Sequence, residues 1–329
     1  MPMLSIVSIG LIYHINPCIN ISIEILYQRG IMNTLMQIAN ILKQFSFHTE
    51  GASLLETPLL KNIAKKIDAQ QELVFLLPAF PAKSPSPLKT SGARPDLGEV
   101  LGLQNLQKLC VQIQEVYGPG ARVIICSDGR VFSDVVKVSD EFITLYQEGI
   151  EEIIKEFKLS YLETFSLDNL FPDLDGDSLR RRLLDQFSQT TEDLKMLVKN
   201  SEHYTKLFNG MHRFLLEDEL ALNTSASKNK LSKETKERTY ELMRRSDAWS
   251  DLLNHYFKDE LRLSIHPYEL GHEKFGVKLV SSSSKWATPW HNVTVKIKEK
   301  FELMHRVEAL KLNAIPKLLK DKYAYFEVA

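Results

Sequence analysis

Charged side chains that could do chemistry concentrate in two short segments of this sequence. One segment follows the apolar run Leu73–Leu77, and the other follows the apolar run Arg122–Cys126. If both segments face one hollow, their cations can hold a phosphate group through charge-assisted hydrogen bonds. These cations are Lys83, Lys89 and Arg94 in the first segment and Arg130 in the second.

The first segment also admits a purely structural interpretation. Residues 79–96 are rich in Pro, Ser and Lys, a composition typical of a solvated linker. The apolar run leads into the segment without a gap, which favours a loop that is held at the end of a strand. Composition alone leaves both interpretations open.

Two carboxylates in the second segment indicate acid–base chemistry or recognition of an amine. Asp128 and Asp134 follow closely on the run that ends at Cys126. A carboxylate at the end of a strand can orient a substrate amine or act as a general base. Asp128-Gly129 is equally a good turn sequence, so a structural role stays open for Asp128.

The C-terminal part of the chain supplies further candidates. Arg262 and His266 lie close together, and His291 follows Trp290 in the run Trp286–His291. Histidine suits proton transfer near neutral pH, and a tryptophan can form a wall of an aromatic pocket. Hydrogen-bonded structural histidines and ordinary core tryptophans are the alternatives.

Strands and helices must position these side chains. Leu73–Leu77 and Arg122–Cys126 read as buried strands, separated by an amphipathic helix from Val100 to Val116. A strand, a crossover helix and a second strand form a unit with parallel strands. Further helices are predicted over 34–47, 59–67 and 140–157, and a third strand over 161–167. The expected fold class is α/β, with a mostly parallel sheet flanked by helices.

The rest of the chain is expected to differ from this pattern. Residues 223–237 read as an exposed polar loop before a helix from Lys236 to Phe257. Short antiparallel strands are predicted over 261–265, 277–280 and 293–297. We therefore expect an N-terminal extension at 1–31, disordered or non-native, an α/β core at 32–222, and a C-terminal α+β portion at 223–329 that completes the site.

Composition excludes several classes of protein. The 329 residues carry 41 Lys and Arg against 42 Asp and Glu, which leaves no global field to attract nucleic acid or acidic lipid. Three scattered cysteines indicate a reducing compartment, so the cytoplasm is expected. We find no nucleotide-binding glycine motif and no zinc spacing, and residues 4–26 make a poor membrane span.

Four blocks in the same order resemble one protein family. Leu77–Pro85 is similar to its first signature and Ile125–Asp134 to its second, and two C-terminal blocks match as well. These blocks are Met243–Trp249 with Arg262–Pro267, and Trp286–His291. The chain is thereby identified as a member of the isonitrile synthases related to pyoverdine and dityrosine biosynthesis proteins.

The resemblance implies a Rossmann-like fold and an enzyme of secondary metabolism that turns the amino group of L-tryptophan or L-tyrosine into an isocyanide. Ribulose 5-phosphate would donate the carbon, with no cofactor and no metal. The resemblance also implies, as a pathway partner, a downstream Fe(II) and 2-oxoglutarate dependent oxygenase. Two alternatives stay open: an enzyme of the same family that forms an N-formyl amino acid, and a non-catalytic protein that binds a phosphorylated metabolite.

The resemblance also implies a role for each candidate residue. Lys83 and Arg130 would hold the sugar phosphate or polarise its oxygens, with support from Lys89 and Arg94. Asp128 and Asp134 would orient the amine or move protons, and His266 and His291 would act as acid and base. Arg262 would bind substrate, and Trp290 would line the aromatic pocket.

Overall fold

The structure is a computed structural model that describes residues 17–47, 57–222, 225–268 and 273–328, with side chains from residue 29 onward. Its helices are α1 (Pro17–Phe45), α2 (Pro58–Asp68), α3 (Leu97–Val116), α4 (Gly129–Phe132), α5 (Asp140–Glu156), α6 (Leu167–Leu170), α7 (Gly176–Phe187), α8 (Thr191–Asn200), α9 (Glu202–Leu222), α10 (Lys228–Tyr256) and α11 (Arg306–Lys311). Its strands are β1 (Leu73–Pro78), β2 (Ala121–Cys126), β3 (Leu162–Phe165), β4 (Leu261–Ser264), β5 (Phe275–Gly276), β6 (Val293–Ile297), β7 (Lys300–Met304), β8 (Ile315–Leu319) and β9 (Tyr323–Glu327).

A five-stranded parallel sheet in the order β3-β2-β1-β4-β5 forms the centre of the fold. Alternate residues of β1 enter two separate cores. Leu73, Phe75 and Leu77 pack with α1, α2, α3 and α5, whereas Val74 and Leu76 pack with α7 and α10. Burial on both faces explains the continuous apolar run of this strand. The predicted α/β class, with a parallel sheet between helices, is confirmed.

A second, four-stranded sheet lies in the C-terminal part, in the order β7-β6-β9-β8. Strand β6 pairs antiparallel with β7 and parallel with β9, and β8 pairs antiparallel with β9. Its own small core contains Val293, Val295 and Phe326, packed with Ala309 of α11. The C-terminal α+β portion is therefore present as expected.

One strand prediction is wrong in orientation. Residues 261–265 were expected to pair antiparallel with the C-terminal strands, but β4 pairs in parallel with β1 of the central sheet. The predicted strand over 277–280 is also displaced, because β5 is the two-residue strand Phe275–Gly276, parallel to β4. Pairing between distant strands depends on tertiary contacts, which local alternation of residues does not encode.

Two segments are more helical than predicted. The expected loop over 223–237 is wrong from residue 228 onward, because α10 begins at Lys228 with the Ser227 hydroxyl accepting from the Lys230 N–H at 3.4 Å. Lys and Glu are good helix formers, and Leu231 and Thr235 bury one face of the first turns. Helix α1 begins at Pro17, within the predicted extension, while residues 1–16 lie outside the described part of the chain.

Within the residues that the structure describes, no helix has both the length and the apolar run that crossing a bilayer requires.

Candidate active site

The site lies where the strand order of the central sheet reverses. The chain leads from β1 to β2 and β3 on one side of β1, and β4 lies on its other side. In open α/β sheets, ligands bind beside such a reversal, outside the carboxyl ends of the strands. The loops after β1, β2 and β4 open at this edge and carry most of the candidate residues.

The loops after β1 and β2 touch each other, as expected for parallel neighbours. Pro78 and Cys126 are partners in the strand register. The Ser127 hydroxyl donates to the Phe80 carbonyl at 3.0 Å, and a Cβ on Gly129 would lie 2.2 Å from the Pro81 carbonyl oxygen. Glycine is thus required at position 129 for the close approach of the two loops.

Lys83 lies at the centre of a buried ion network. Its ammonium is 2.7 Å from Asp96 Oδ2 and 2.9 Å from Glu99 Oε2, and it donates to the Pro289 carbonyl at 2.9 Å. Tyr146 donates its hydroxyl proton to Glu99 at 2.9 Å. Burial would lower the pKa of Lys83, but Asp96 and Glu99 outweigh it and raise this pKa. All three ammonium protons are therefore engaged by the protein.

Asp96 also begins helix α3. Its side chain accepts from the Gly98 N–H at 2.8 Å, while Glu99 accepts from the Asp96 N–H at 2.8 Å, which completes a capping box. Burial raises the pKa of Asp96, although Lys83 opposes this effect. The network thus ties the loop after β1 to the start of α3 and to the 3₁₀ turn Pro289–His291.

Lys89 and Arg94, the other cations of the first segment, have different surroundings. The Lys89 ammonium lies 2.6 Å from Asp218 Oδ1 of α9 and 4.7 Å from the centre of the Phe214 ring. Lys89 is buried, whereas Arg94 lies exposed at the surface. Asp218 was not expected from the sequence, because nothing marks one carboxylate of a charged helix as the partner of a distant lysine.

Arg130 points toward helices α5 and α6. Its Nε donates to Asp168 at 3.1 Å, its Nη1 donates to the Asp140 carbonyl at 2.6 Å, and its Nη2 donates to the Thr144 hydroxyl at 2.7 Å. Arg130 and Lys83 thus contact different helices and have no partner in common. The role expected for these two cations in holding phosphate stays a prediction, and it requires their present ion pairs to open.

The two aspartates of the second segment differ sharply in their surroundings. Asp134 is half exposed and receives two hydrogen bonds from Arg245, at 2.5 and 3.0 Å. Burial raises the pKa of Asp134, but Arg245 and Arg180 outweigh it and hold the pKa below the ordinary value. Asp128 instead has a buried oxygen, Oδ1, with no partner in the described part of the chain, and burial raises its pKa to about 7.

Arg262 faces the same region from β4. Its Nη1 donates to Asn254 at 2.6 Å, but its buried Nε has no partner among the described residues. Burial lowers the pKa of Arg262 despite nearby carboxylates. The charges of Arg262 and Asp128 both act on the Cys126 thiol, whose pKa burial raises to about 12, so the two groups lie near one strand end.

The two histidines lie near enough for the charge of His266 to act on His291, and His266 follows the end of β4 at Ser264. The His291 ring is 3.1 Å from the Thr288 hydroxyl through Nδ1 and 4.9 Å, centre to centre, from Phe214. Burial, with the charges of Lys89 and His266, lowers the pKa of His291 to about 3. Burial and Lys274 lower the pKa of His266 to about 4, and its buried Nδ1 has no partner among the described residues. Both rings are therefore neutral at pH 7.

The aromatic residues are arranged differently from the expectation. Trp290 is 2% exposed and packs on Phe80, with ring centres 5.1 Å apart, so it belongs to the main core. Trp286 is 65% exposed and lies 5.2 Å from the His266 ring. Trp249 of α10, which the sequence did not single out, has a buried indole Nε1 without a partner in the described chain. Whether Trp290 lines a substrate pocket stays a prediction.

Metal binding receives no support from the described residues, among which no three His, Cys, Asp or Glu side chains come together as a site. His272, six residues after His266 in the sequence, lies outside the described residues.

A parallel sheet whose carboxyl edge carries acidic, basic and imidazole groups, each with a buried atom that no described residue binds, is typical of an α/β enzyme that binds a small polar substrate. Comparison with known proteins shows to which family within this class the chain belongs. Residues 63–315 match the profile of the family described as pyoverdine/dityrosine biosynthesis protein. The chain belongs to this family, and it is an enzyme of the isonitrile synthase kind.

Similar proteins are known in sequence and in structure. The chain is 44% identical over 257 residues to L-tryptophan isonitrile synthase AmbI2 of Fischerella ambigua, covering 78% of each protein. It is 38% identical over 281 residues to L-tyrosine isonitrile synthase of Pseudomonas aeruginosa, covering 82% of this chain and 86% of that protein. The crystal structure of PvcA from Pseudomonas aeruginosa superposes with a TM-score of 0.82 at 34% identity, covering 89% of this chain and 99% of PvcA.

Proposed function

We propose that this enzyme converts the amino group of an L-aromatic amino acid, tryptophan or tyrosine, into an isocyanide, with ribulose 5-phosphate as the carbon donor. The observation that carries the proposal is a set of buried atoms at one sheet edge, on Asp128, Arg262 and His266, that have no partner among the described residues. Buried polar atoms without partners are rare in folded proteins, and each needs an explanation. Here, hydrogen bonds to a polar substrate would explain these buried atoms.

Asp128 and Arg262 suit the two charged groups of an amino acid. The Asp128 carboxylate would accept the substrate ammonium, and the guanidinium of Arg262 would bind the carboxylate through its free Nε. A pKa of about 7 lets Asp128 take a proton from the ammonium group near neutral pH, which leaves a nucleophilic amine. The amine would then condense with the ketone of the sugar phosphate.

The later steps need groups that exchange protons without carrying a fixed charge. Condensation is followed by dehydration, proton removal and carbon–carbon cleavage, which release the isocyanide carbon from the sugar. His266 and His291 are neutral at pH 7, so each can donate a hydrogen bond or accept a proton. Lys83 would contribute by fixing the turn that carries His291, because it binds the Pro289 carbonyl.

The proposal is tested with purified protein, L-tryptophan or L-tyrosine, and ribulose 5-phosphate in which every carbon is ¹³C. We expect an isonitrile that contains one labelled carbon, detected by mass spectrometry after chemical trapping. Asp128→Asn should lower the rate of product formation by about 10²- to 10⁴-fold, whereas the exposed Asp173→Asn, which removes the same charge, should not change it. An unlabelled isonitrile would show that another donor is used.

Two alternatives are separated by the same experiment. A product heavier than the isonitrile by one water would identify an enzyme that forms N-formyl amino acids. Binding of both compounds without any product would identify a non-catalytic binding protein. Either result contradicts the proposed reaction.

A further inference from the structure

The phosphate of a sugar phosphate needs cations that are free to bind it. Lys83 and Lys89 are buried against the carboxylates Asp96, Glu99 and Asp218, and Arg130 is bound by Asp168. A phosphate at these side chains would have to displace buried negative charge, and leaving one member of a buried ion pair without its partner is strongly unfavourable. A cation that lacks an acidic partner can bind a phosphate without this cost.

Two such lysines line a cavity in the C-terminal part of the chain. The cavity has a volume of about 160 Å³ and is lined by Lys278 and Lys285 together with Ser282, Ser283, Ser284 and Thr288. In the described part of the chain neither lysine forms an ion pair with a carboxylate. Ammonium groups beside several hydroxyls are the donors that bind phosphate monoesters.

The serine loop of this cavity also presents backbone donors. The Ser282 hydroxyl donates to the Leu303 carbonyl at 2.8 Å and accepts from the Ser284 N–H at 3.2 Å. The Ser284 hydroxyl accepts from the Trp286 N–H at 3.2 Å. These bonds hold the loop in shape, while the N–H groups of Ser283 and Lys285 find no acceptor among the described residues.

The cavity adjoins the histidines of the candidate active site. Thr288 lines the cavity and is also bonded to His291 Nδ1 at 3.1 Å, and Ile265, another lining residue, directly precedes His266. A phosphate held by the lysines would therefore place the remainder of its molecule beside the two imidazole rings. The same compound could span the cavity and the site.

We propose that the cavity lined by Lys278, Lys285 and Ser282–Ser284 binds the phosphate group of the phosphorylated co-substrate, and this inference rests on the proposed function. The two ammonium groups neutralise the phosphate, and Ser283 and Thr288 donate hydrogen bonds to its oxygens. The carbon chain of the sugar leads from there toward His266 and His291.

The kinetic test uses the double variant Lys278→Met/Lys285→Met. We expect its KM for ribulose 5-phosphate to rise at least about tenfold, the effect of losing one strong charge-assisted contact. Its kcat and its KM for the amino acid should stay unchanged. The control Lys311→Met/Lys317→Met removes the same charge from exposed positions on α11 and β8 and should behave as the unmodified enzyme. An unchanged KM, or an equal rise in the control, would overturn the inference.

A binding test keeps this inference separate from the reaction itself. Inorganic phosphate is titrated into the unmodified protein and the double variant and followed by ³¹P NMR line broadening. Loss of binding in the double variant alone supports the cavity as the phosphate site, even if no isonitrile is formed. Equal binding by both proteins, or none by either, contradicts it, whatever the outcome of the activity assay.

Discussion

At the scale of single residues, Asp128 and Asp134 come from one motif, but their tertiary partners give the two carboxylates different charge states. Arg245 of α10 binds both oxygens of Asp134, so the charge of Asp134 is compensated and the pair ties the second loop to that helix. Asp128 Oδ1 has no such partner in the described part of the chain, and burial raises the pKa of Asp128 to about 7. Its protonation state can therefore change under physiological conditions.

The first prediction concerns the pH dependence of turnover. If Asp128 acts as the base, kcat/KM falls about tenfold per pH unit below a pKa of about 7, because only the carboxylate accepts the proton. Asp128→Asn should lower kcat by about 10²- to 10⁴-fold and remove this acidic limb. The measurement is kcat/KM from pH 5 to pH 9 for both proteins.

His291→Gln serves as the control for this profile. Since the pKa of His291 is already lowered to about 3, the ring does not titrate in the measured range. The variant should lose activity yet keep the limb near pH 7. A limb that disappears in His291→Gln and persists in Asp128→Asn would assign the base to the histidine instead.

The same carboxylate affects stability with a definite sign. The folded-state pKa of Asp128 is raised from 3.8 to about 7, so the folded protein binds a proton that the unfolded chain has already released between these values. Stability from this group is greatest at low pH and is lost as the pH rises toward 7. We therefore expect the stability of Asp128→Asn, relative to that of the unmodified protein, to be greater at pH 8 than at pH 4. Urea denaturation of both proteins at each pH measures this difference.

At the scale of elements, Lys83 joins three parts of the fold that are distant in sequence. It links the loop after β1 with the capped start of α3 and with the 3₁₀ turn that carries His291. Through these contacts within the protein, the network orders the site. We expect that a change in this ion network alters activity because it alters the structure of the site.

The second prediction tests this network by its stability. Lys83→Met leaves Asp96 and Glu99 buried without their cation, and removal of one partner of a buried pair typically costs about 3–5 kcal/mol of unfolding free energy. The triple variant Lys83→Met/Asp96→Asn/Glu99→Gln should recover part of this loss. Urea denaturation measures both, with the exposed Lys65→Met as control. A loss in the Lys65 variant as large as that in Lys83→Met would contradict the network.

The third prediction concerns the contact between the two strand-end loops. In Gly129→Ala the new methyl group would meet the Pro81 carbonyl at 2.2 Å, so the loops must separate. We expect a loss of about 1–3 kcal/mol and a fall in turnover, because overpacking forces the backbone to move. Gly92→Ala, whose methyl group meets nothing within 4 Å, is the matched control. Equal stability and activity of the two variants would show that the close approach is not needed.

At the scale of the whole molecule, the strand order places residues from both halves of the chain at one edge of the central sheet. Strand β4, which carries Arg262, pairs with β1 although many helices separate the two in sequence. The candidate site therefore exists only when the complete sheet has formed. Substrate binding and folding are linked for that reason.

The fourth prediction uses this linkage. L-Tryptophan at 100 times its Kd should stabilise the folded protein by about 2.7 kcal/mol, seen as a rise in Tm. Tryptamine, which lacks the carboxylate, should stabilise it less. In Arg262→Gln the two compounds should become equal, because the expected partner of the carboxylate is gone. A difference that persists in this variant would show that another residue binds the carboxylate.

The local sequence was sufficient for the elements that hold the site. The apolar runs predicted β1 and β2, and the helix predicted over 140–157 is α5, where the Ser139 hydroxyl caps the first turn by accepting from the Phe142 N–H at 3.3 Å. Periodicity and capping act over a few residues, so one sequence reveals them. The partners of Lys89 and Asp134 could not be predicted, since Asp218 and Arg245 lie on helices whose docking is a long-range event.

By itself the sequence determined the class of the protein, the parallel strands β1 and β2 and the two loops that follow them, because these depend on residue types and on short spacings. Only the tertiary structure decided which charged groups are neutralised and which are left unpaired. Ion pairing depends on distance in space, and burial multiplies its effect on a pKa. Lys83 and Asp128 look equally reactive in the sequence, yet the fold surrounds one with carboxylates and leaves the other without a partner for Oδ1.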